Sequence, residues 1–118
     1  MSLIAWNVRG VNGNTKQKEV SDLIKKHNIP IVTLLETCTK QGREKAISNK
    51  FPSYDYFYNF DHHPYGRILA MWKRSEVSLY IYYVTTQLIH CKILTSSSYL
   101  LTVTFIYGFN DMIAWGSL

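Results

Sequence analysis

Asn7 and Glu36 are the residues whose type and placement point to chemistry. Asn7 stands at the end of the apolar stretch within residues 3–8, and Glu36 closes the nearly apolar run 31–36. A side-chain amide can hold a phosphate oxygen. A carboxylate can hold Mg²⁺, an ion typically bound by one or two carboxylates plus substrate phosphates. Side by side, the two would begin a phosphoryl-transfer site. The plainer alternative is that both runs end in polar residues where they reach water.

Other chemistry-bearing residues read more plainly. His62 and His63 beside Asp61 offer metal donors, but no other Cys or His stands at ligand spacing, so the stretch reads as a solvated turn before Gly66. His90 and Cys91 alternate within a strand pattern and therefore face opposite ways. Tyrosines at 54, 56, 58, 80, 82 and 83 include base stacking among their options. Their period-two placement makes core or cross-strand packing the expected role. Lys16, Lys18, Lys25 and Lys26 form the wet face of a helix, able to meet phosphates without reading sequence.

The elements that must position Asn7 and Glu36 follow from periodicity. Residues 3–8 read as a short buried strand, closed by Arg9-Gly10-Val11-Asn12-Gly13. A helix is predicted over 15–27, with Asn14 as cap, Gln17 in capping-box relation, and Val20, Leu23, Ile24 and His27 along one stripe. Asn28 and Pro30 stop it. Residues 31–36 are nearly all apolar, as in a strand covered on both faces. Strand, helix, strand makes a βαβ unit with parallel strands, and such strands present their carboxyl ends to one ligand-binding rim.

A shorter helix is predicted over 41–50, with Ala46 and Ile47 inward and Pro52 ending it. Beyond it, residues 54–60, 67–73, 77–84, 88–94 and 99–107 are rich in Tyr, Ile, Val and Thr and separated by short polar breaks, the pattern of an antiparallel meander. The fold class is α/β: a βαβ unit followed by an antiparallel meander, in a mixed sheet or sandwich with helices on at least one outer face.

Composition bounds the function. The chain has 118 residues, 47% of them apolar, which suits one domain and excludes disorder. Aromatic residues make up 14% of it, favouring strands over a helical bundle. The net charge of +5 leans towards an anionic partner such as nucleic acid. Cys38 and Cys91 are too far apart in sequence for a C-x-x-C pair and too few for a disulfide scaffold. No run approaches the ~18–20 apolar residues of a membrane-spanning helix, and the first residues lack a basic leader, so no membrane partner is expected.

Four motifs carry a resemblance. Trp6-Asn7-Val8-Arg9-Gly10 is followed by Leu34-Leu35-Glu36-Thr37, then Gly66-Arg67-Ile68-Leu69-Ala70-Met71-Trp72-Lys73, then Thr104-Phe105-Ile106-Tyr107-Gly108-Phe109-Asn110. In this order and spacing the chain resembles the endonuclease/exonuclease/phosphatase family. It is most similar to the apurinic-endonuclease-like domain of plant LINE-type (non-LTR) retrotransposon polyproteins.

The resemblance implies a four-layer αββα sandwich, of which this chain is the amino-terminal portion, and metal-dependent cleavage of DNA phosphodiesters with Mg²⁺ or Mn²⁺. It implies that Asn7 is the first active-site Asn, Glu36 the metal-ligand Glu and Tyr107 the Tyr that contacts the scissile phosphate. It also implies a nuclear location. Arg9 stands where some relatives carry an Asp that helps organise the metal shell, and Trp115 where relatives carry a Trp in a following helix. The family's later G-D-x-N and S-D-H segments do not occur within the 118 residues. Gly108-Phe109-Asn110-Asp111 has the wrong order for the first of these. The expectation is therefore a carboxyl-terminally truncated domain, inactive in isolation. The alternatives are a non-catalytic nucleic-acid-binding remnant and a phosphatase of the same fold acting on a small phosphoester.

Overall fold

The computed structural model describes residues 2–11, 13–40, 42–59, 65–85, 87–98 and 100–106. Tyr107, the Asp61-His62-His63 turn, residues 108–111 and Trp115 lie outside them.

Strand β1 (Leu3–Asn7) pairs in parallel with β2 (Ile31–Lys40), in register from Leu3 opposite Ile31 to Asn7 opposite Leu35. The crossover is helix α1 (Asn14–His27). Val20 and Ile24 are buried with Leu23 packed beside them, as the apolar stripe requires, whereas His27 is exposed. Asn14 is not the cap. The N-cap is Gly13, which has no side chain to cap with, so no capping box forms between it and Gln17. The Gln17 Nε2 donates to the Val11 carbonyl at 2.9 Å, tying the β1–α1 loop to the helix. The helix ends as expected at Asn28, which takes the left-handed conformation at φ 48°.

Helix α2 (Glu44–Ser48) is shorter than predicted. Ile47 is buried but Ala46 is exposed, since a helix barely longer than one turn offers little inward face. Then come β3 (Tyr54–Tyr58), β4 (Tyr65–Lys73), β5 (Val77–Val84), β6 (Leu88–Thr95) and β7 (Leu100–Ile106). They do not form one meander. β3 and β4 fold back antiparallel onto β2, giving a sheet of order β1-β2-β4-β3, while β5-β6-β7 make a second sheet.

Alternation along the strands explains the layering. In β4, Leu69 and Met71 join Val32, Leu34, Val20, Ile24, Ile47 and Phe51 in a core between the first sheet and the helices. Ile68, Ala70 and Trp72 point the other way, towards Ile89, Leu79 and Ile81 of the second sheet. Ile31, Cys91, Ile93 and Phe105 continue that second core. The described residues thus make three layers: helices, mixed sheet, antiparallel sheet. The outer face of the second sheet carries Tyr80, Tyr82, Tyr83, Leu94 and Leu100, all exposed. The expectation of core or cross-strand packing therefore holds for Tyr58, which is buried, and for Tyr82, whose exposed ring meets His90 of the neighbouring strand, while Tyr80 and Tyr83 are exposed. A register shift between Ile81 and Tyr83 accompanies the exposure of two successive tyrosines on β5.

Candidate active site

The parallel register decides where Asn7 and Glu36 lie. Asn7 is opposite Leu35, so Glu36 is the next residue along the neighbouring strand, and both stand at the same rim. Glu36 does not end its strand as the apolar run predicted. Strand β2 continues to Lys40, and the β2–β4 register shifts between Leu35 and Thr39. Within that irregularity Glu36 and Cys38 both take positive φ, 58° and 56°. The chain leaving β1 follows the distortion. Val8 N–H donates to the Leu35 carbonyl at 3.0 Å, Gly10 N–H to Glu36 at 2.7 Å and Val11 N–H to Thr37 at 3.1 Å. Arg9 and Gly10 reach these positions through positive φ of 51° and 99°. Non-glycine residues held in this region cost roughly 1–3 kcal/mol each and cluster at functional sites.

Side chains fix the rim from beneath and beside it. The Asn7 Oδ1 accepts from the Arg9 N–H at 3.2 Å, which orients the amide. Thr37 and Thr39, further along the strand that carries Glu36, are fully buried. The Tyr58 hydroxyl donates to Thr39 Oγ1 at 3.4 Å, and that hydroxyl donates to the Thr37 carbonyl at 3.5 Å. Burial pushes the Tyr58 phenol well above its ordinary range, keeping it a neutral donor. At the flank, Lys16 pairs with Glu19 at 3.1 Å and lies 5.3 Å from the Trp6 ring centroid.

A series of contacts links this rim to the end of β7. Leu35 is opposite Ile68 in β4. The fully buried Asn59 accepts at Oδ1 from the Arg67 and Ile68 N–H groups, each at 3.0 Å, and donates from Nδ2 to the Thr85 carbonyl at 3.1 Å. Thr85 N–H donates to Leu88, which is opposite Ile106 in β7. Ile106 immediately precedes Tyr107, the third expected site residue, which itself lies outside the described residues. Asn59 was missed by sequence reasoning, although it closes an apolar, tyrosine-rich run much as Asn7 does.

A lone carboxylate limits what the rim can hold. Among the described residues no group of three His, Cys, Asp or Glu side chains is placed to bind a metal ion. Glu36, half-buried, fits a hard cation that keeps most of its waters and takes its remaining ligands from a bound phosphate, as Mg²⁺ does. It does not fit a closed structural site. His90, by contrast, is spent within its sheet: its Nδ1 meets Thr104 Oγ1 at 2.5 Å and its ring packs edge-on to Tyr82 at 4.5 Å.

No protein-family model matches the sequence, and no curated protein matches it. Solved structures do match the fold. A TDP2 of D. rerio, crystallised with a single-stranded DNA product, superposes with a TM-score of 0.65 at 15% identity, covering 92% of this chain and 47% of that one. A mannosyl-6-phosphatase of Bacteroides thetaiotaomicron gives 0.64 at 10% identity, covering 86% of this chain and 49% of that one. A protein of the same organism described as endonuclease/exonuclease/phosphatase family gives 0.60 at 10% identity, over 86% of this chain and 48% of that one. The chain thus spans about half the length of the structures it matches. Its mixed sheet, second sheet and outer helices make up part of the endonuclease/exonuclease/phosphatase sandwich fold.

Proposed function

We propose that the chain is the amino-terminal part of a metal-dependent phosphodiesterase that nicks DNA, of the kind found in LINE-type retrotransposon polyproteins. The observation that carries this reading is the rim itself: Asn7 and Glu36 stand next to one another on adjacent parallel strands. The order of the Trp6–Gly10, Leu34–Thr37 and Thr104–Tyr107 motifs supports DNA as substrate, as does the net charge of +5.

In this reading Asn7, its Oδ1 already engaged by Arg9, donates from Nδ2 to a phosphate oxygen. Tyr107 contributes a hydroxyl to the same phosphate. Glu36 would hold Mg²⁺, which when bound supplies neutralisation of the charge that develops on the phosphate. None of these groups activates the attacking water. A general acid–base group is worth about 10²–10⁴-fold, so the 118-residue chain by itself is inactive.

Nicking of supercoiled plasmid in Mg²⁺ tests the reading. The expected result is no nicking by the 118-residue chain and nicking by a chain lengthened to include G-D-x-N and S-D-H segments, lost again on Glu36→Gln. Nicking by the short chain, abolished by the same substitution, would show the later segments to be dispensable. A lengthened chain that spares plasmid but releases phosphate from a sugar phosphate would favour the phosphatase reading, which the likeness to a mannosyl-6-phosphatase makes the alternative to exclude. A lengthened chain that binds DNA and cleaves nothing would leave the remnant reading.

A further inference from the structure

We propose that Arg9 is a phosphate-holding residue, its guanidinium gripping the same backbone phosphate that the Asn7 amide contacts; this rests on reading the rim as a phosphodiester site. Three features carry it. The first is position. Arg9 is exposed and shares a turn with Asn7, closed by the 3.2 Å hydrogen bond from its own N–H to Asn7 Oδ1. The two side chains therefore emerge from one short piece of backbone at the rim.

The second is conformation. Arg9 sits at φ 51°, a region where a Cβ is a steric penalty and which glycine enters freely. Asn and Asp are the usual non-glycine occupants; arginine is not among them. The neighbouring Gly10, at φ 99°, shows that the loop uses glycine where only backbone is needed. Where glycine would serve the backbone equally well, arginine adds a charged side chain beside the Asn7 amide.

The third is charge. Arg9 is the single charged residue between β1 and α1, and it lies across the turn from the strand bearing the Glu36 carboxylate. A phosphodiester approaching Glu36 is repelled unless a cation flanks it. The first turn of α1 bears no acidic residue and no side-chain cap, so nothing there opposes an anion. A guanidinium presents a planar fork matched to two phosphate oxygens, which an ammonium cannot reproduce.

The experiment is fluorescence anisotropy of a short labelled single-stranded oligonucleotide in EDTA, titrated with the 118-residue chain over a range of salt. Arg9→Gly is the informative variant, because it relieves the backbone while removing the charge. The expected result is binding weakened about tenfold at low salt and a salt slope reduced by about one, with a thermal midpoint no lower than that of the unaltered chain. Arg9→Lys should keep the slope and lose part of the affinity. Unchanged oligonucleotide binding in Arg9→Gly, together with a raised midpoint, would make Arg9 a turn residue and overturn the proposal. So would equal loss in Arg9→Lys and Arg9→Gly, or no binding by the unaltered chain. The metal reading of the site fails separately: if added Mn²⁺ binds equally well to the Glu36→Gln chain, Glu36 is no ligand, whatever Arg9 does.

Discussion

The side-chain amide of Asn59 donates to the Thr85 carbonyl at 3.1 Å, joining the end of β3 in one sheet to the end of β5 in the other. The oxygen of the same side chain accepts from the Arg67 and Ile68 N–H groups where β4 begins. One buried residue thus holds three strand ends at the rim that bears Asn7 and Glu36.

Replacing Asn59 by Ala should therefore be severe. It removes the partner of two N–H groups and one carbonyl, the Ile68 N–H buried and the other two partly so, and buried unsatisfied groups cost about 1–3 kcal/mol each. The expected loss is about 3 kcal/mol in urea unfolding, with partial relaxation at the rim limiting the total. A loss below about 1 kcal/mol would mean that the two sheets are joined by packing alone.

Glu36→Gln should separate binding from folding. The backbone at φ 58° is the same for both residues, and the side chain is only half-buried. Unfolding free energy should stay within about 0.5 kcal/mol of the unaltered chain. Mn²⁺ binding, followed by paramagnetic broadening of signals from the rim, should disappear. Persistent broadening at the same residues would assign the cation to another ligand.

Cys38 offers a stabilising change. It is exposed, and its φ of 56° is one that glycine adopts without strain. Cys38→Gly should raise stability by about 1 kcal/mol, the release of left-handed strain outweighing the added freedom of the unfolded chain. A fall in stability would show that the β2 irregularity depends on the thiol.

Alkaline pH should weaken the fold through Cys91. Burial pushes its thiol from 9.0 up to about 11, and the Sγ–H donates to the Val103 carbonyl at 3.6 Å. A raised folded-state value means that the folded chain holds its proton more tightly. The resulting stability is complete below pH 9.0 and is lost as pH climbs through about 11. At most it amounts to roughly 2–3 kcal/mol. Burial raises the Tyr54 and Tyr58 phenols too, and they add in the same sense above pH 10. The interval from pH 9 to 10 therefore isolates the thiol, and Cys91→Ala should flatten the stability profile there.

Local periodicity revealed β1, α1 and β2 because each has a period that sequence displays directly, and the parallel pairing of β1 with β2, which sets Asn7 and Glu36 side by side, followed from topology. The split of the later strands into two sheets was not legible. Whether β4 pairs with β2 or with β5 depends on contacts between residues as distant as Thr33 and Ala70, which no local pattern encodes. The irregularity at Glu36 was hidden for a related reason. Glu36, Cys38 and Arg9 are ordinary in composition and unusual only in φ, and a left-handed residue other than glycine leaves no mark in sequence. Asn59 was within reach, since its polar amide closes an apolar run; it was absorbed into a predicted strand.

The two sheets also differ in how far apart in sequence their partners lie. β5, β6 and β7 close through successive short reversals, whereas β2 must wait for β1 before it and β4 well after it. Hairpins form in about 1–10 μs, and non-local pairings are slower because the loop entropy comes first. The second sheet is thus the half that can assemble early, presenting Ile89, Cys91, Ile93 and Phe105 as a surface on which the mixed sheet completes. On a ribosome this order is inverted, because β1 through β4 emerge first. Their apolar inner face, Ile68, Ala70 and Trp72, then stays open until the last three strands are synthesised. A nascent chain stalled before Val77, with that face uncovered, is therefore the form most exposed to chaperones and to aggregation.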